Sequence, residues 1–161
     1  MLQKLLILSV FSFSVFAQAE QSLIEMIEDG ASVQEIQSAI QQGADVNPKA
    51  GFFSKKRSTL ITAIENKRPE VAKLLVSYGA DVNVKNNAYN KKTALMLAIL
   101  YEEVELTDTL LIAGADVNTR DDYKRTALMY AGEVENLYMM TILLLYGADV
   151  NARDKDGNSP L

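Results

Sequence analysis

The chain lacks the two side chains that most often carry out catalysis or bind metals. It contains no histidine and no cysteine, so a Ser-His pair, a Cys nucleophile and imidazole or thiolate metal ligands are excluded. Carboxylates remain, and they cluster at Glu102, Glu103 and Glu105. Such runs are far more often a solvated turn than a buried acid-base pair. We therefore predict no catalytic residue, no cofactor and no metal site, and a protein that is not an enzyme.

The nearest approach to a metal-binding motif is Asp154-x-Asp156-x-Asn158. A calcium loop of the EF-hand type requires Gly at its sixth position. Here Gly157 occupies the fourth position counted from Asp154. The segment is therefore interpreted as an ordinary polar turn.

An Asp recurs within a five-residue string, and the spacing of that string shows how the chain is organised. The string Gly-Ala-Asp-Val-Asn occurs four times, at spacings of 36, 35 and 33 residues, and contains Asp45, Asp81, Asp116 and Asp149. Recurrence at this period indicates a stacked repeat array. Each Asp lies two residues after a Gly, where Asp and Asn side chains bind nearby backbone N–H groups and hold a turn. These carboxylates are therefore predicted to be structural.

Each repeat is predicted to contain two helices and a glycine stop. Units open at Ser58, Thr93 and Thr126, and a Gly follows 21 residues later in all three. Apolar residues lie at helical spacing on both sides of a short polar turn within each unit. A Gly just past the last turn adopts the left-handed conformation that ends helices. The spacing predicts helix pairs over 58–78, 93–113 and 126–146, within a repeat region at 48–151.

Because the Gly-Ala-Asp-Val-Asn string and the Ser or Thr that opens each unit recur at matching intervals, the chain resembles the ankyrin repeat family over about residues 22 to 161. The family motif places Thr-Pro-Leu-His-x-Ala near the start of the first helix and Gly-Ala-Asp-Val-Asn after the second. Where the family has a Gly between the two helices, this chain has Lys67, Glu102 and Glu135. The resemblance implies an all-α ankyrin-repeat solenoid, with stacked helix-turn-helix units and projecting β-hairpin finger loops.

The first unit differs from those that follow. Residues 20–47 are predicted to form a divergent N-terminal capping repeat. Ser22 precedes Glu25 by three residues, and Ser32 precedes Glu35 by the same interval. This is the spacing of a capping box, in which each side chain binds a backbone N–H group at the start of a helix.

The last complete helix, at 137–146, is apolar on nearly every side. A terminal repeat normally presents a polar outer face. Residues 152–161 are interpreted as the start of a truncated further repeat. Two alternatives stay open for this apolar C-terminal face: repeats missing from the sequence cover it, or it self-associates or binds a partner.

Residues 1–19 differ in character from the rest of the chain. Lys4 precedes an apolar run of about 12 residues, and Ala17-Gln18-Ala19 follows it, whereas a membrane-spanning helix needs about 20. This pattern predicts a signal peptide that is cleaved after Ala19 and leaves no stable membrane span. Because an exported chain without cysteine fits a bacterial periplasm, we expect an exported protein, periplasmic or secreted and of bacterial origin.

Charge is segregated between the fingers and the rest of the chain. The fingers, defined as residues 48–57, 84–92, 119–125 and 152–158, hold 12 of the 15 Lys and Arg residues after position 19 and four acidic residues, a net charge of +8. All other residues after position 19 carry a net charge of -14. The family resemblance implies that fingers and first helices together form a concave surface that grips partners. That surface is therefore expected to be basic.

Aromatic residues lie among the basic finger residues. Aromatic rings bury area at low entropic cost, while Lys and Arg steer an acidic partner and fix its register. The candidate partner-binding residues are Phe52, Phe53, Lys55, Lys56, Arg57, Tyr89, Lys91, Lys92, Tyr123, Lys124 and Arg125.

Two functional interpretations follow from this charge pattern. The first is a non-catalytic protein-protein interaction module of the cell envelope or secreted space, which grips an acidic protein partner through the basic and aromatic fingers. The alternative is a binder of an anionic glycan or lipid headgroup. Export and a net charge of -5 for the whole chain argue against a nucleic acid ligand. A third interpretation, that the fingers are only solvated Lys-rich loops, also stays open.

Overall fold

The computed structural model describes residues 22–48, 58–86 and 90–160. Within these ranges the chain forms eight helices: α1 (Leu23–Glu28), α2 (Val33–Gln41), α3 (Thr59–Glu65), α4 (Pro69–Ser77), α5 (Ala94–Leu100), α6 (Val104–Ile112), α7 (Ala127–Glu133) and α8 (Leu137–Leu145). The first helices stack in the order α1, α3, α5, α7, and the second helices stack in the order α2, α4, α6. The predicted all-α repeat solenoid is confirmed.

Small residues allow the first helices to approach one another closely. Ala63, Ala98 and Ala131 occupy equivalent places in α3, α5 and α7, and each is fully buried. Leucines at the second residue of α3, α5 and α7 are also fully buried, as are apolar residues of the second helices. Burial of these side chains depends on the neighbouring repeat, as expected for a solenoid.

The turn between paired helices is tight although it contains no glycine. Lys67, Glu102 and Glu135 adopt φ values of 54°, 58° and 53°. The N–H group of the following residue donates to the carbonyl five residues before it, at N···O distances of 2.9 to 3.2 Å. A left-handed conformation costs a residue other than Gly about 1 to 2 kcal/mol. The packing of each helix pair therefore maintains a turn that the local sequence disfavours.

Both capping boxes of the first unit are present. The Ser22 and Ser32 hydroxyls accept from the N–H groups of Glu25 and Glu35 at 3.3 and 3.2 Å. The carboxylates in turn accept from the N–H groups of Ser22 and Ser32 at 3.1 and 2.7 Å. The Ser32 hydroxyl also donates to the Glu35 carboxylate at 2.8 Å. This bond, and then the bond from the Ser32 N–H group, lower the pKa of Glu35 below its usual value. The helices of the first unit thus begin on their own side-chain bonds.

Arg68 ties the first unit to the second. Its guanidinium donates to the carbonyl oxygen of Ile27 at 3.1 Å and to that of Ala31. Both carbonyls lie at or just beyond the C-terminal end of α1, where backbone carbonyls lack helical partners. A cation at this end of a helix is also favoured by the helix dipole.

Exposed apolar side chains are present on α8. Leu137 and Leu145 are 76% and 79% exposed, and Leu144 is exposed whereas its equivalent Leu111 in α6 is buried. Ile112, at the end of α6, is as exposed as Leu145, so part of this apolar surface belongs to the outer face of the array. The expected cover for the C-terminal face stays a prediction.

Asparagine side chains join each repeat to the next. The Asn47 side chain donates to the Gly79 carbonyl and accepts from the Asp81 N–H group, both at 2.8 Å. Asn83 and Asn118 make the same pair of bonds to their following repeats, at 2.8 to 3.2 Å. We call this series the asparagine ladder. Each bridge links the loop of one repeat to the Gly carbonyl and the Asp N–H group that follow the second helix of the next repeat.

The recurring aspartates orient the ladder. The Oδ1 atoms of Asp45, Asp81, Asp116 and Asp149 each accept from the N–H group of the Asn two residues later, at 2.9 Å. These bonds close the turn from which the asparagine side chain extends. The predicted structural role of the four aspartates is confirmed. The bridges that the asparagines make between repeats were not predicted from the sequence and are seen only in the tertiary structure.

The ladder predicts a difference between two asparagines of identical local sequence. Asn118→Ala removes two bonds to the next repeat and should lower the free energy of unfolding by about 1 to 2 kcal/mol, since each such bond contributes about 1 kcal/mol. Asn151 makes no bridge of this kind among the described residues, so Asn151→Ala should change stability by less than about 0.5 kcal/mol. Urea unfolding of both variants measures the contrast, and equal losses would contradict the bridging role.

Candidate partner-binding site

The structure describes five of the eleven predicted site residues. Lys91 and Lys92 lie in the second finger, and Tyr123, Lys124 and Arg125 lie in the third. The other six lie outside the described residues, and their role stays a prediction: Phe52, Phe53, Lys55, Lys56, Arg57 and Tyr89.

The described residues of the second and third fingers are paired as in a short hairpin. In the second finger an antiparallel bridge joins Lys85 to Thr93, and the Asn86 N–H group donates to the Lys92 carbonyl at 2.8 Å. In the third finger the Asp121 N–H group donates to the Arg125 carbonyl at 3.1 Å. The described residues of these two fingers therefore have a defined backbone that can hold their side chains in place.

Neighbouring fingers are also bonded to one another. The Asp122 N–H group donates to the Asn90 carbonyl at 2.8 Å, and the Lys155 N–H group donates to the Tyr123 carbonyl at 2.9 Å. The second, third and fourth fingers thus form a continuous row. Because a preordered row loses little conformational entropy on binding, it suits recognition of a partner.

A buried carboxylate organises the third finger. The side chain of Asp121, which is 6% exposed, accepts from the N–H groups of Tyr123 and Arg125, both at 2.8 Å. It also accepts from the Tyr130 hydroxyl at 2.7 Å. Burial, and then the bond to Asp121, raise the pKa of Tyr130. The finger is thereby fixed to helix α7, which carries Tyr130.

The structure places Arg125 in an internal role. Its guanidinium carbon lies 4.2 Å from the centre of the Tyr130 ring, and the guanidinium forms an ion pair with Glu133 of α7. A guanidinium that stacks on a ring and pairs with a carboxylate contributes to packing as well as to charge. Arg125 therefore supports the finger, and its charge is partly offset before any partner binds.

The remaining predicted residues differ in how far they are available. Lys91 pairs with Asp122 at 3.1 Å, and the ammonium of Lys155 lies 5.7 Å from the ring centre of Tyr123, which is 50% exposed. Lys92 and Lys124 form no ion pair with any residue that the structure describes. Among the described site residues, these two lysines therefore carry positive charge that no acidic side chain offsets.

Sequence reasoning missed the floor of the site. An open cleft of about 510 Å³ lies below the second finger. It is lined by residues of α1, of α3 and α5 with the turns that follow them, and of the second finger. These residues are Glu28, Thr62, Glu65, Asn66, Lys92, Leu97, Leu100 and Tyr101. Thr62 and Leu97 occupy the same position in the repeat, just before the buried alanines Ala63 and Ala98. This shared position was the signal from which the sequence could have predicted that both residues line the cleft.

Two features are absent from the residues that the structure describes. No three His, Cys, Asp or Glu residues there are grouped so as to hold a metal ion. No helix in residues 22–48, 58–86 and 90–160 has both the length and the apolar character needed to cross a membrane.

The stacked helix pairs, glycine stops and hairpin fingers define a repeat protein of the ankyrin type. The family model for ankyrin repeats (3 copies) matches residues 60–154, and the chain belongs to this family. Ankyrin repeats indicate a protein-protein interaction module, and such proteins are generally non-catalytic.

The chain is similar to a curated protein, the ankyrin repeat and KH domain-containing protein mask-1 of Caenorhabditis elegans. The two are 34% identical over 99 residues, which is 62% of this chain and 4% of that protein. The chain thus spans only a small part of the length of the relative.

The buried Tyr130-Asp121 bond gives a prediction that depends on pH. Tyr130→Phe removes a bond to a carboxylate and should lower the free energy of unfolding by about 1.5 to 3 kcal/mol near neutral pH. The unfolded phenol ionises near pH 10, whereas the folded phenol retains its proton. The parent chain should therefore lose about 1.4 kcal/mol per pH unit above about pH 10 from this group, and the variant should not.

The difference in free energy of unfolding between the parent chain and Tyr130→Phe should therefore become smaller above about pH 10. Denaturant unfolding of both chains at pH 7 to 11 measures this gap. Tyr123→Phe is the matched control, because Tyr123 is half-exposed and its hydroxyl has no bond to another described residue. A gap that stays constant above pH 10 would contradict the role assigned to Tyr130.

Proposed function

We propose that this chain is a protein-binding module that grips an acidic surface of its partner through the basic fingers. The observation that carries the proposal is the ordered row of fingers on which Lys92 and Lys124 have no acidic partner among the described residues. The internal pairs formed by Lys91 and Arg125 offset part of the finger charge. The unpaired lysines and the exposed ring of Tyr123 are then the groups that meet a partner.

Physical chemistry favours a protein as the ligand of such a surface. Lysines at a rim increase the rate of association with an acidic partner and fix its orientation, while a half-exposed aromatic ring supplies contact area. The apolar floor of the cleft adds a surface that a uniformly charged polyanion would leave unused. An anionic glycan or lipid headgroup is thus the alternative outcome of the test below.

The fingers offer a matched pair of lysines for this test. Lys124 in the third finger and Lys67 in the turn after α3 are both exposed, with φ values of 60° and 54°. Lys124→Glu should weaken partner binding about five- to tenfold, because it removes a pair worth up to about 1 kcal/mol and adds repulsion. Lys67→Glu makes the same change of charge outside the fingers and should leave binding unchanged.

The measurement is affinity capture from an envelope extract with the parent chain and both variants, followed by titration of the captured species. A discrete protein that is weakened only by Lys124→Glu supports the proposal. Equal binding by all three chains would reject the fingers as the site. Retention of heparin or anionic vesicles, with no protein of fixed stoichiometry, would favour the polyanion alternative.

We also propose that the module acts outside the cytoplasm, in a periplasm or a secreted space. The support is the sequence of residues 1–19, with one lysine, an apolar run and Ala17-Gln18-Ala19. Expression of the full chain in a bacterium should yield an exported product that begins at Glu20. N-terminal sequencing of the periplasmic and cytoplasmic fractions tests this, and an intact N-terminus confined to the cytoplasm would contradict export.

A further inference from the structure

We infer that the cleft below the second finger is a subsite for an apolar side chain that has a Lys or Arg beside it in the partner. The partner segment would then be bipolar, with its cation toward α3 and its acidic residues toward the fingers. This inference rests on the proposed function and names the chemistry of the segment that enters the groove.

The wall of the cleft formed by α5 is apolar. Leu97 is nearly buried, Leu100 is half-buried, and Tyr101 is 40% exposed. At the equivalent positions α3 has Thr62, Glu65 and Asn66, which are polar. The apolar surface of α5 thus replaces a polar one in α3, and a Leu-like or Phe-like side chain of the partner would remove it from water.

The wall formed by α3 is acidic and held in place. The Asn86 side chain, which is 7% exposed, donates from its amide to Glu65 Oε1 at 2.5 Å. A neutral amide orients this carboxylate without cancelling its charge. The negative charge of Glu65 therefore favours a cationic group of the partner on this side.

The opposite rim of the cleft is basic. Lys92 lines the cleft, and its ammonium lies 5.6 Å from the ring centre of Tyr130. This lysine and the acidic wall lie on two sides of the same apolar patch. The arrangement is complementary to an extended segment in which an apolar residue separates a basic residue from an acidic one.

The experiment is selection of peptides from a random displayed library on the full chain, followed by titration of a synthetic consensus peptide. The enriched sequences should contain an apolar residue next to Lys or Arg. Glu65→Gln keeps an acceptor for Asn86 and removes only the charge, so it should weaken the consensus peptide about tenfold. Glu70→Gln is the matched control, because Glu70 is exposed on α4 away from the cleft, and it should have no effect.

A second readout locates the peptide. The methyl resonances of Leu97 and Leu100 should shift on titration, and thermal unfolding should show that both variants remain folded. Enrichment of purely acidic peptides, equal binding to the Glu65→Gln chain, unshifted leucine methyls or no enrichment at all would each overturn the inference. None of these results alters the capture experiment with Lys124→Glu, which decides the proposed function separately.

Discussion

Contact between successive repeats is the constraint on which the rest of this structure depends. A pair of short helices cannot bury its apolar residues alone, so each pair is stable only against a neighbour. The asparagine ladder fixes the register of that contact, because each side chain bonds both a carbonyl and an N–H group of the next repeat. The fully buried alanines then allow the first helices to approach closely. Register and spacing are thus set by different residues.

The rigidity of the stack explains how unfavourable local conformations are maintained. Lys67, Glu102 and Glu135 hold left-handed turns at positions where glycine would be less strained. The third finger likewise depends on a buried carboxylate, Asp121, which accepts from two N–H groups and the Tyr130 hydroxyl. A buried charge is tolerated when it is hydrogen-bonded. The finger row is therefore an extension of the folded stack.

The division of charge has a functional consequence. Helices and turns carry most of the acidic residues, whereas the fingers carry most of the basic ones. Some of the opposing charges meet, as in the pair of Arg125 with Glu133. Among the described site residues, Lys92 and Lys124 retain unpaired positive charge, and Lys92 lines a partly apolar cleft. Such a surface combines electrostatic steering with apolar contact, and the two together favour a protein segment as ligand.

The sequence by itself determined the architecture of the described residues. Gly-Ala-Asp-Val-Asn recurs in phase with the Ser/Thr that opens each helix pair, and local rules for helix starts and stops place the elements from these signals alone. The capping boxes of Ser22 and Ser32 followed from spacing for the same reason. Composition also excluded imidazole and thiolate chemistry.

The tertiary structure decided the site. The sequence assigned Arg125 and Lys91 to partner contact, yet folding brings Glu133 and Asp122 against them. It also brings Leu97, Leu100 and Lys92 to one cleft, although they belong to different elements. Helix periods and turn signals are local, whereas ion pairs and clefts depend on distances between residues far apart in the chain. Those distances are fixed only when the repeats stack.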